Sequence, residues 1–364
     1  MNSMNQIQNQ YSPDYVTPPG ETLSETLEAL GLSQSDLAER TGRPKKTINE
    51  IIKGKAAITP ATALQLERVL GVPASFWNQR EYQYREFLAR EEEKERLREQ
   101  VDWLNRVPVK SLIRLGWIEA SKDKVTLLQH TLNFFGVATP QQWDEMWRES
   151  QPAFRKSRSF KSDPGAVAAW LRKGEIDAQR INCAPYNEAK FKEALRHIRG
   201  LTVTAPDLFE RELVRVCSSA GVAVVFVPEL PGTRVSGATR WLTPNKALIQ
   251  LSLRYKTDDH LWFTFFHEAG HILLHGKTRL FLEDDSDHDG QEDEANCFSA
   301  DLLIPEHDLR RFMAQGNRSM EAVKCFAGEI GLAPGIVVGR LQHEGFLPRS
   351  HGNGLKIRLE WSGK

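Results

Sequence analysis

The chain has 364 residues, 40% hydrophobic and 26% charged, and 48 Lys+Arg offset 48 Asp+Glu to a formal net charge of +0. That length allows two or three domains with a sizeable core, and the charge balance excludes a globally basic or acidic binding surface, so any nucleic-acid face has to be a local patch. The cysteines Cys183, Cys217, Cys297 and Cys325 are scattered without a C-x-x-C pair, which argues against a disulfide framework or a cysteine-zinc site and fits a reducing cytoplasm. The Asn/Gln-rich start has neither the positive nor the apolar region of a signal peptide. No apolar run approaches the ~18 residues that a membrane helix needs. The expectation is a soluble cytoplasmic protein.

Residues 1–18 are polar and read as a disordered tail. Folding is expected from Pro19-Gly20, with a helix over Glu21–Leu30 that puts Leu23, Leu27 and Leu30 on one side and ends at Gly31. Ser33 is placed to N-cap a second helix, with Asp36 at the capping-box position and Leu37-Ala38 facing inward. Thr41-Gly42-Arg43-Pro44 makes a turn, and Pro44 suits the first turn of a third helix, Lys45–Ile52. That helix is expected to bury Ile48, Ile51 and Ile52 while presenting Lys45, Lys46, Thr47, Asn49 and Glu50. Gly54 closes it, and Thr59–Leu70 gives a fourth helix.

Two short helices joined by a Gly-containing turn, the second exposing basic and amide side chains, make a helix-turn-helix. Lys45, Lys46, Thr47 and Asn49 are the candidate base-reading residues, with Gln34, Lys53 and Lys55 for phosphates. The runs Ser33-Gln-x-x-Leu-Ala-x-x-Thr-Gly42 and Ile48-x-x-Ile-Ile-x-Gly-Lys55, with Ala57–Glu67 and Gly71–Trp77, closely resemble the Xre-type helix-turn-helix of HigA-like antitoxins. The resemblance implies binding of a double-stranded DNA operator, usually as a homodimer on a palindrome. One departure is Arg43, which replaces the usual Ser cap before Pro44 and adds a cation near the DNA backbone.

Residues 19–77 thus form a first domain, and 78–205 a helical connector. Residues 78–100 read as a helix whose mixed charges, over Tyr82 to Gln100, make a solvated, ion-paired face. Beyond it Trp103, Trp117, Trp143, Trp147 and Trp170 are spread among breakers at Pro108, Pro140 and Pro164, a pattern of packing rather than chemistry. The basic run Arg155–Lys161 reads as an exposed loop.

A second folded domain is expected over 206–350, followed by a tail, 351–364. It opens with a helix, Leu208–Ala220, and an apolar run, Val222–Val227, typical of a buried strand; Thr233–Trp241 and Lys246–Leu251 read as further strands. Then comes Phe266-His267-Glu268-Ala269-Gly270-His271, an H-E-x-x-H inside an apolar helix. Four-residue spacing aims His267 and His271 from one face toward one ion, and Glu268 takes the general-base position of a zinc hydrolase. A carboxylate completing a His/His/Glu set would leave the fourth position open. Glu292 and Asn296 stand one helical turn apart, so one can bind the ion while the other orients a ligand histidine. Glu294 competes with Glu292 for the ligand role, and the apolar phase of Ala295, Phe298 and Leu302 puts Glu292 nearer the buried side without deciding between them.

Gly237–Trp241, Ile249–Leu253, Phe263–His271 and Glu292-x-x-Ala-Asn296-x-Phe298 occur in that order and resemble the ImmA/IrrE family of metallopeptidase domains over Glu210 to about Leu347. The resemblance implies His267, His271 and Glu292 as Zn2+ ligands, Glu268 as catalytic base, and a narrow protein target such as a repressor. The run Glu283–Glu294 reads as an acidic loop, and His260 and His275 as structural or exposed residues that are also candidates for transition-state hydrogen bonds. The pair of short helices around Ala333-Pro-Gly335 is placed by the family resemblance as a lid packed on the peptidase core, with Arg340 and His343 its notable residues.

The expected class is therefore α+β and multidomain: an all-α helix-turn-helix domain, a helical connector and a zincin-like domain with a small sheet. The expected function is a DNA-binding regulator with a zinc endopeptidase domain that cleaves a regulatory protein. The alternative is an autorepressing antitoxin that neutralises a cognate toxin, with the zinc site structural or sensory.

Overall fold

A computed structural model of the chain describes residues 16–155, 163–277, 281–282 and 290–361, with backbone alone for 148–155 and 281–282. Most of the N-terminal tail, the basic run after Arg155, the acidic loop before Gly290 and the last three residues lie outside the described residues. The chain divides into two compact units, Met1–Gln100 and Val101–Lys364. Among the described residues both are built mainly of helices.

The first unit holds α1 (Pro19–Ala29), α2 (Gln34–Thr41), α3 (Lys45–Ile52), α4 (Pro60–Leu70) and α5 (Ala74–Arg98). Ser33 accepts from the Asp36 N–H while the Asp36 side chain accepts from the Ser33 N–H, a complete capping box. Gly42 follows α2 at φ 69, a left-handed turn that a β-carbon would strain. Leu23, Leu27, Leu37, Ile48, Ile51, Leu66 and Trp77 make the core; Ile52, expected inside, is only half-buried. Helix α5 begins at Ala74, a turn before the expected start at residue 78, because nothing between Pro73 and Gln100 breaks it and Trp77 anchors its first turns in this core.

In the second unit α6 (Val109–Arg114), α7 (Lys124–Phe135), α8 (Pro140–Arg155), α9 (Pro164–Gln179), α10 (Glu188–Arg199) and α11 (Pro206–Ser219) precede the sheet. Trp103, Phe135 and Trp143 pack edge-to-face at centroid separations of 5.4–6.0 Å, so these tryptophans serve packing. Strands β1 (Val222–Phe226), β2 (Gly237–Thr243), β3 (Lys246–Leu251) and β4 (Phe281–Leu282) form a sheet in the order β1-β3-β2-β4. β1 runs parallel to β3, and β2 is antiparallel to both β3 and β4. The strand expected from Thr233 starts only at Gly237, since Arg234 is left-handed at φ 51 and cannot continue an extended strand.

The central strand β3 is covered on both faces. Ala247, Ile249 and Leu251 join the core under α12 (Asp258–Leu274), packing with Phe265 and Phe266. Gln250 turns the other way and donates to the Trp170 carbonyl of α9 at 2.7 Å, and Trp170 Nε1 donates to the Val227 carbonyl at 3.0 Å. Gly174 admits this approach, because a β-carbon there would lie 1.8 Å from Gln250 Oε1. Helix α9, read from sequence as connector, is thus one of the two layers that sandwich the sheet.

The remaining helices are α13 (Gly290–Leu303), α14 (Glu306–Ala314), α15 (Met320–Ile330) and α16 (Pro334–His343). Arg199, the last residue of α10, donates to the carbonyls of Leu302, Leu303 and Ile330, capping the C-termini of α13 and α15 together. Val337, Val338 and Leu341 of α16 belong to the same core as α12, which packs this segment onto the body of the unit. Among the described residues no single helix is long and apolar enough to cross a membrane.

Candidate metal centre and nucleic-acid face

Helix α12 is apolar along most of its length and is buried from Leu261 to Ile272 except at Phe263, which places its polar residues inside the protein. His267, His271 and His275 recur every four residues and line one face, with ring centroids 4.6 and 5.0 Å apart. Helix α13 lies close against this face because Gly270 has no side chain: a β-carbon there would be 3.1 Å from the Phe298 ring and 3.3 Å from Ala295 Cα. Ser299 Oγ donates to the Phe263 carbonyl at 2.9 Å and fixes the register of the two helices.

That register brings Glu292 to the histidines. Its Oε2 is 3.1 Å from His267 Nε2 and its Oε1 3.4 Å from His271 Nε2, and the two Nε2 atoms are 2.9 Å apart. Ligand atoms around a tetrahedral ion at 2.0–2.1 Å stand ~3.3 Å from one another. The spacing and the two-imidazole, one-carboxylate donor set therefore fit a zinc-like ion, and all three residues are buried. Burial works to raise the Glu292 carboxyl, but its hydrogen bonds with His267 and His271 outweigh it and hold the group at about 2. Burial lowers His271 below the usual imidazole value, with His267 and His275 adding to the depression and Glu292 opposing it. Both directions favour the ligand forms, carboxylate and neutral imidazole.

Glu268, fully buried, follows the first histidine. Thr239 Oγ1 donates to its carbonyl at 3.0 Å, fastening β2 to α12 at this point. Gly237 opens space for its side chain, since a β-carbon there would meet Glu268 Oε1 at 2.5 Å and Thr264 Cγ2 at 2.6 Å. Asn296, one turn after Glu292, places Oδ1 2.9 Å from His267 Nδ1. Glu294 is turned elsewhere: its Oε2 lies 3.1 Å from His275 Nε2, and His275 Nδ1 lies 2.9 Å from His271 Nδ1. The contact of His275 with His271 was not foreseen from the sequence, though the 267/271/275 spacing carried the signal. His260 stacks on Tyr255 at 4.2 Å, and Arg340 pairs with Glu344 at 2.9 Å.

In the first unit, α3 exposes Lys45 and Lys46, with Thr47 and Asn49 half-buried; Lys53 and Lys55 are exposed just beyond it, and Gln34 is half-buried at the start of α2. Lys46 lies 3.8 Å from Glu50 on the same face. Arg43 Nε donates to Gln65 Oε1, so the residue at the unusual cap position also ties the turn to α4.

Two family models match the chain: a helix-turn-helix over residues 23–77 and the IrrE N-terminal-like domain of peptidase family M78 over residues 217–337. Among curated proteins, virulence-associated protein A of Dichelobacter nodosus is 40% identical over 52 residues, 14% of this chain and 51% of that protein. The uncharacterized HTH-type transcriptional regulator YddM of Escherichia coli is 32% identical over 59 residues, 16% of this chain and 63% of the relative. The chain thus spans between half and two thirds of the curated relatives it matches. A HigA-family addiction module antidote protein from Coxiella burnetii shares 28% identity at TM-score 0.22, covering 23% of this chain and 91% of that one. An antidote protein of a plasmid maintenance system from Nostoc punctiforme shares 30% at TM-score 0.23, over 24% and 93%.

Proposed function

From a chain that joins an Xre-like helix-turn-helix domain to an IrrE N-terminal-like domain, we propose a cytoplasmic DNA-binding regulator whose second unit is a zinc endopeptidase acting on a specific regulatory protein. The observation that carries the reading is the convergence of His267, His271 and Glu292 beside a buried Glu268. A purely structural metal would have no need of that glutamate. When bound, zinc would supply Lewis-acid polarisation of the scissile carbonyl and of water. Within this chain, Glu268 accepts the proton of the attacking water and returns it to the leaving amine. Asn296 accepts from His267 Nδ1–H, which directs the Nε2 lone pair of that ring toward the ion. Gly237 keeps space for Glu268 between β2 and α12.

The helix-turn-helix would bring this activity to an operator or to a DNA-bound repressor, as a homodimer on a two-fold site. Lys45, Lys46, Thr47 and Asn49 would face the major groove, with Gln34 and Lys53 on phosphates. Metal content and gel shift together test the reading. Wild type should bind one zinc per chain and Glu292→Ala much less, while Lys46→Ala or Asn49→Ala should weaken operator binding. Unchanged zinc in Glu292→Ala, or unchanged DNA affinity in both α3 variants, contradicts the corresponding half. A second reading, an autorepressing antitoxin with a cognate toxin, is favoured by the likeness of residues 33–77 to HigA-type sequences; a toxin captured by the chain would support it.

A further inference from the structure

The two candidate ligand histidines are not supported alike. His267 meets an amide oxygen on α13, whereas His271 meets another histidine, and that histidine ends on a carboxylate. We infer that His275 and Glu294 form a positioning relay which fixes the tautomer of His271, so that its Nε2 lone pair faces the ion.

The proton assignments follow from the atoms that face each other. His271 Nε2 points at His267 Nε2 and Glu292 Oε1, at 2.9 and 3.4 Å. To act as a ligand it must be unprotonated there, which puts the proton of the neutral ring on Nδ1. His271 Nδ1 lies 2.9 Å from His275 Nδ1, so His275 accepts at Nδ1 and carries its own proton on Nε2. That nitrogen is 3.1 Å from Glu294 Oε2, and a carboxylate can only accept. Every nitrogen then has a single role, and the chain of hydrogen bonds runs from the ion-facing ring outward to a charge. The reversed tautomers would put the His271 proton on the ligand nitrogen and point the His275 lone pair at a carboxylate, a repulsive pairing at the outer end.

The chain builds this relay with two elements. His275 extends the i, i+4 row of His267 and His271 by one more turn and is the residue at which α12 ends, before Gly276 at φ 76. Its side chain is 2% exposed, while that of Glu294 is 66% exposed. Helix α13 supplies the candidate ligand at Glu292, the orienting amide at Asn296 and the terminal carboxylate at Glu294. The two glutamates thus take different tasks, one at the ion and one two hydrogen bonds away from it.

This inference rests on the metal-centre reading, and its test separates the two. Zinc affinity is measured by chelator competition on the full chain, for wild type, His275→Ala, His275→Asn and Glu294→Ala, with melting of the metal-free proteins alongside. The relay predicts that His275→Ala binds zinc about 10- to 100-fold more weakly. In His275→Asn, Oδ1 replaces Nδ1 as acceptor, so this variant should recover most of the loss; exposed Glu294 should tolerate Ala and show a smaller loss of the same sign. Cobalt-loaded His275→Ala should also show a visible spectrum displaced from that of the wild type. Equal zinc affinity in wild type, His275→Ala and Glu294→Ala overturns the relay alone, as does His275→Asn binding no better than His275→Ala. Wild type that takes up no zinc overturns the metal centre and the relay with it.

Discussion

His267 and Asn296 face each other across two helices, Nδ1 to Oδ1 at 2.9 Å, and this pairing joins the H-E-x-x-H helix α12 to the glutamate-bearing helix α13 at the level of the candidate ion. An acceptor at Nδ1 leaves Nε2 free for a metal, so in the proposed centre Asn296 would act on affinity through its partner. Asn296→Ala should weaken zinc binding by about 10- to 100-fold, whereas Asn296→Asp, which keeps an acceptor, should bind within a few-fold of wild type. Chelator competition checks both. An Ala variant with wild-type affinity would remove Asn296 from the centre.

Gly237 bears on the reaction differently. A β-carbon on this residue would lie 2.5 Å from Glu268 Oε1, so Gly237→Ala forces the proposed base aside without touching a ligand. Misplacing a reacting group by about 1 Å costs on the order of 100-fold in rate. The variant should hold zinc like wild type and cleave at least about 100 times more slowly. Cleavage at the wild-type rate would mean that Glu268 is not held where the chemistry needs it.

Arg199 gives a prediction about stability. Its guanidinium donates to three main-chain carbonyls at the ends of α13 and α15, at 2.9–3.0 Å, and Arg199→Ala would leave those helix ends uncapped. Hydrogen bonds from a charged donor contribute roughly 1.5–3 kcal/mol each, and their losses are not additive, so a destabilisation of about 2–4 kcal/mol is expected. Denaturant unfolding monitored in the second unit reads it. A shift below about 0.5 kcal/mol would show that other contacts carry these helix ends.

The start of α12 is sensitive to pH. Asp258 is 1% exposed; its Oδ1 accepts from the Ile357 N–H at 2.9 Å, and its Oδ2 has no hydrogen-bond partner among the described residues. Burial is the main cause that raises its carboxyl to about 6, with Asp259 adding to it against the Ile357 hydrogen bond. The folded chain therefore holds this proton over a range where the unfolded chain, with an ordinary aspartate near ~3.9, has released it. Stability from this group is full below ~4 and is lost as pH rises to about 6. Glu292, held at about 2, contributes with the opposite sign and only at lower pH. Asp258→Asn should thus raise stability at pH 8 by about 1–2 kcal/mol, with the gain shrinking toward pH 4. A gain independent of pH would assign it to something other than this proton.

Local patterns made the ends of the chain readable. Ser33 with Asp36, the left-handed Gly42 and the isoleucines of α3 are short-range signals, and the structure builds its first three helices on them. His267 and His271 were equally legible, because the four-residue spacing is a property of one helix. Between Glu292 and Glu294 the sequence left the choice open. The choice depends on how α13 lies against α12, which Gly270 and Ser299 determine across 20 or more residues of chain. Helix α9 stayed hidden for the same reason: Gly174 and Gln250 are 76 positions apart, and only the folded sheet shows that one makes room for the other. The late start of β2 reflects the left-handed Arg234, a conformation that its residue type does not announce.

Whether this chain cuts a specific protein with Glu268 as base is decided by comparing protein termini across cells that make wild type and cells that make Glu268→Gln. At least one regulatory protein should carry a new terminus only in the wild-type cells, while purified Glu268→Gln keeps its zinc and its operator binding. Identical termini in the two strains, under DNA damage and phage stress as well as in normal growth, would contradict the peptidase and leave the antitoxin-repressor as the reading.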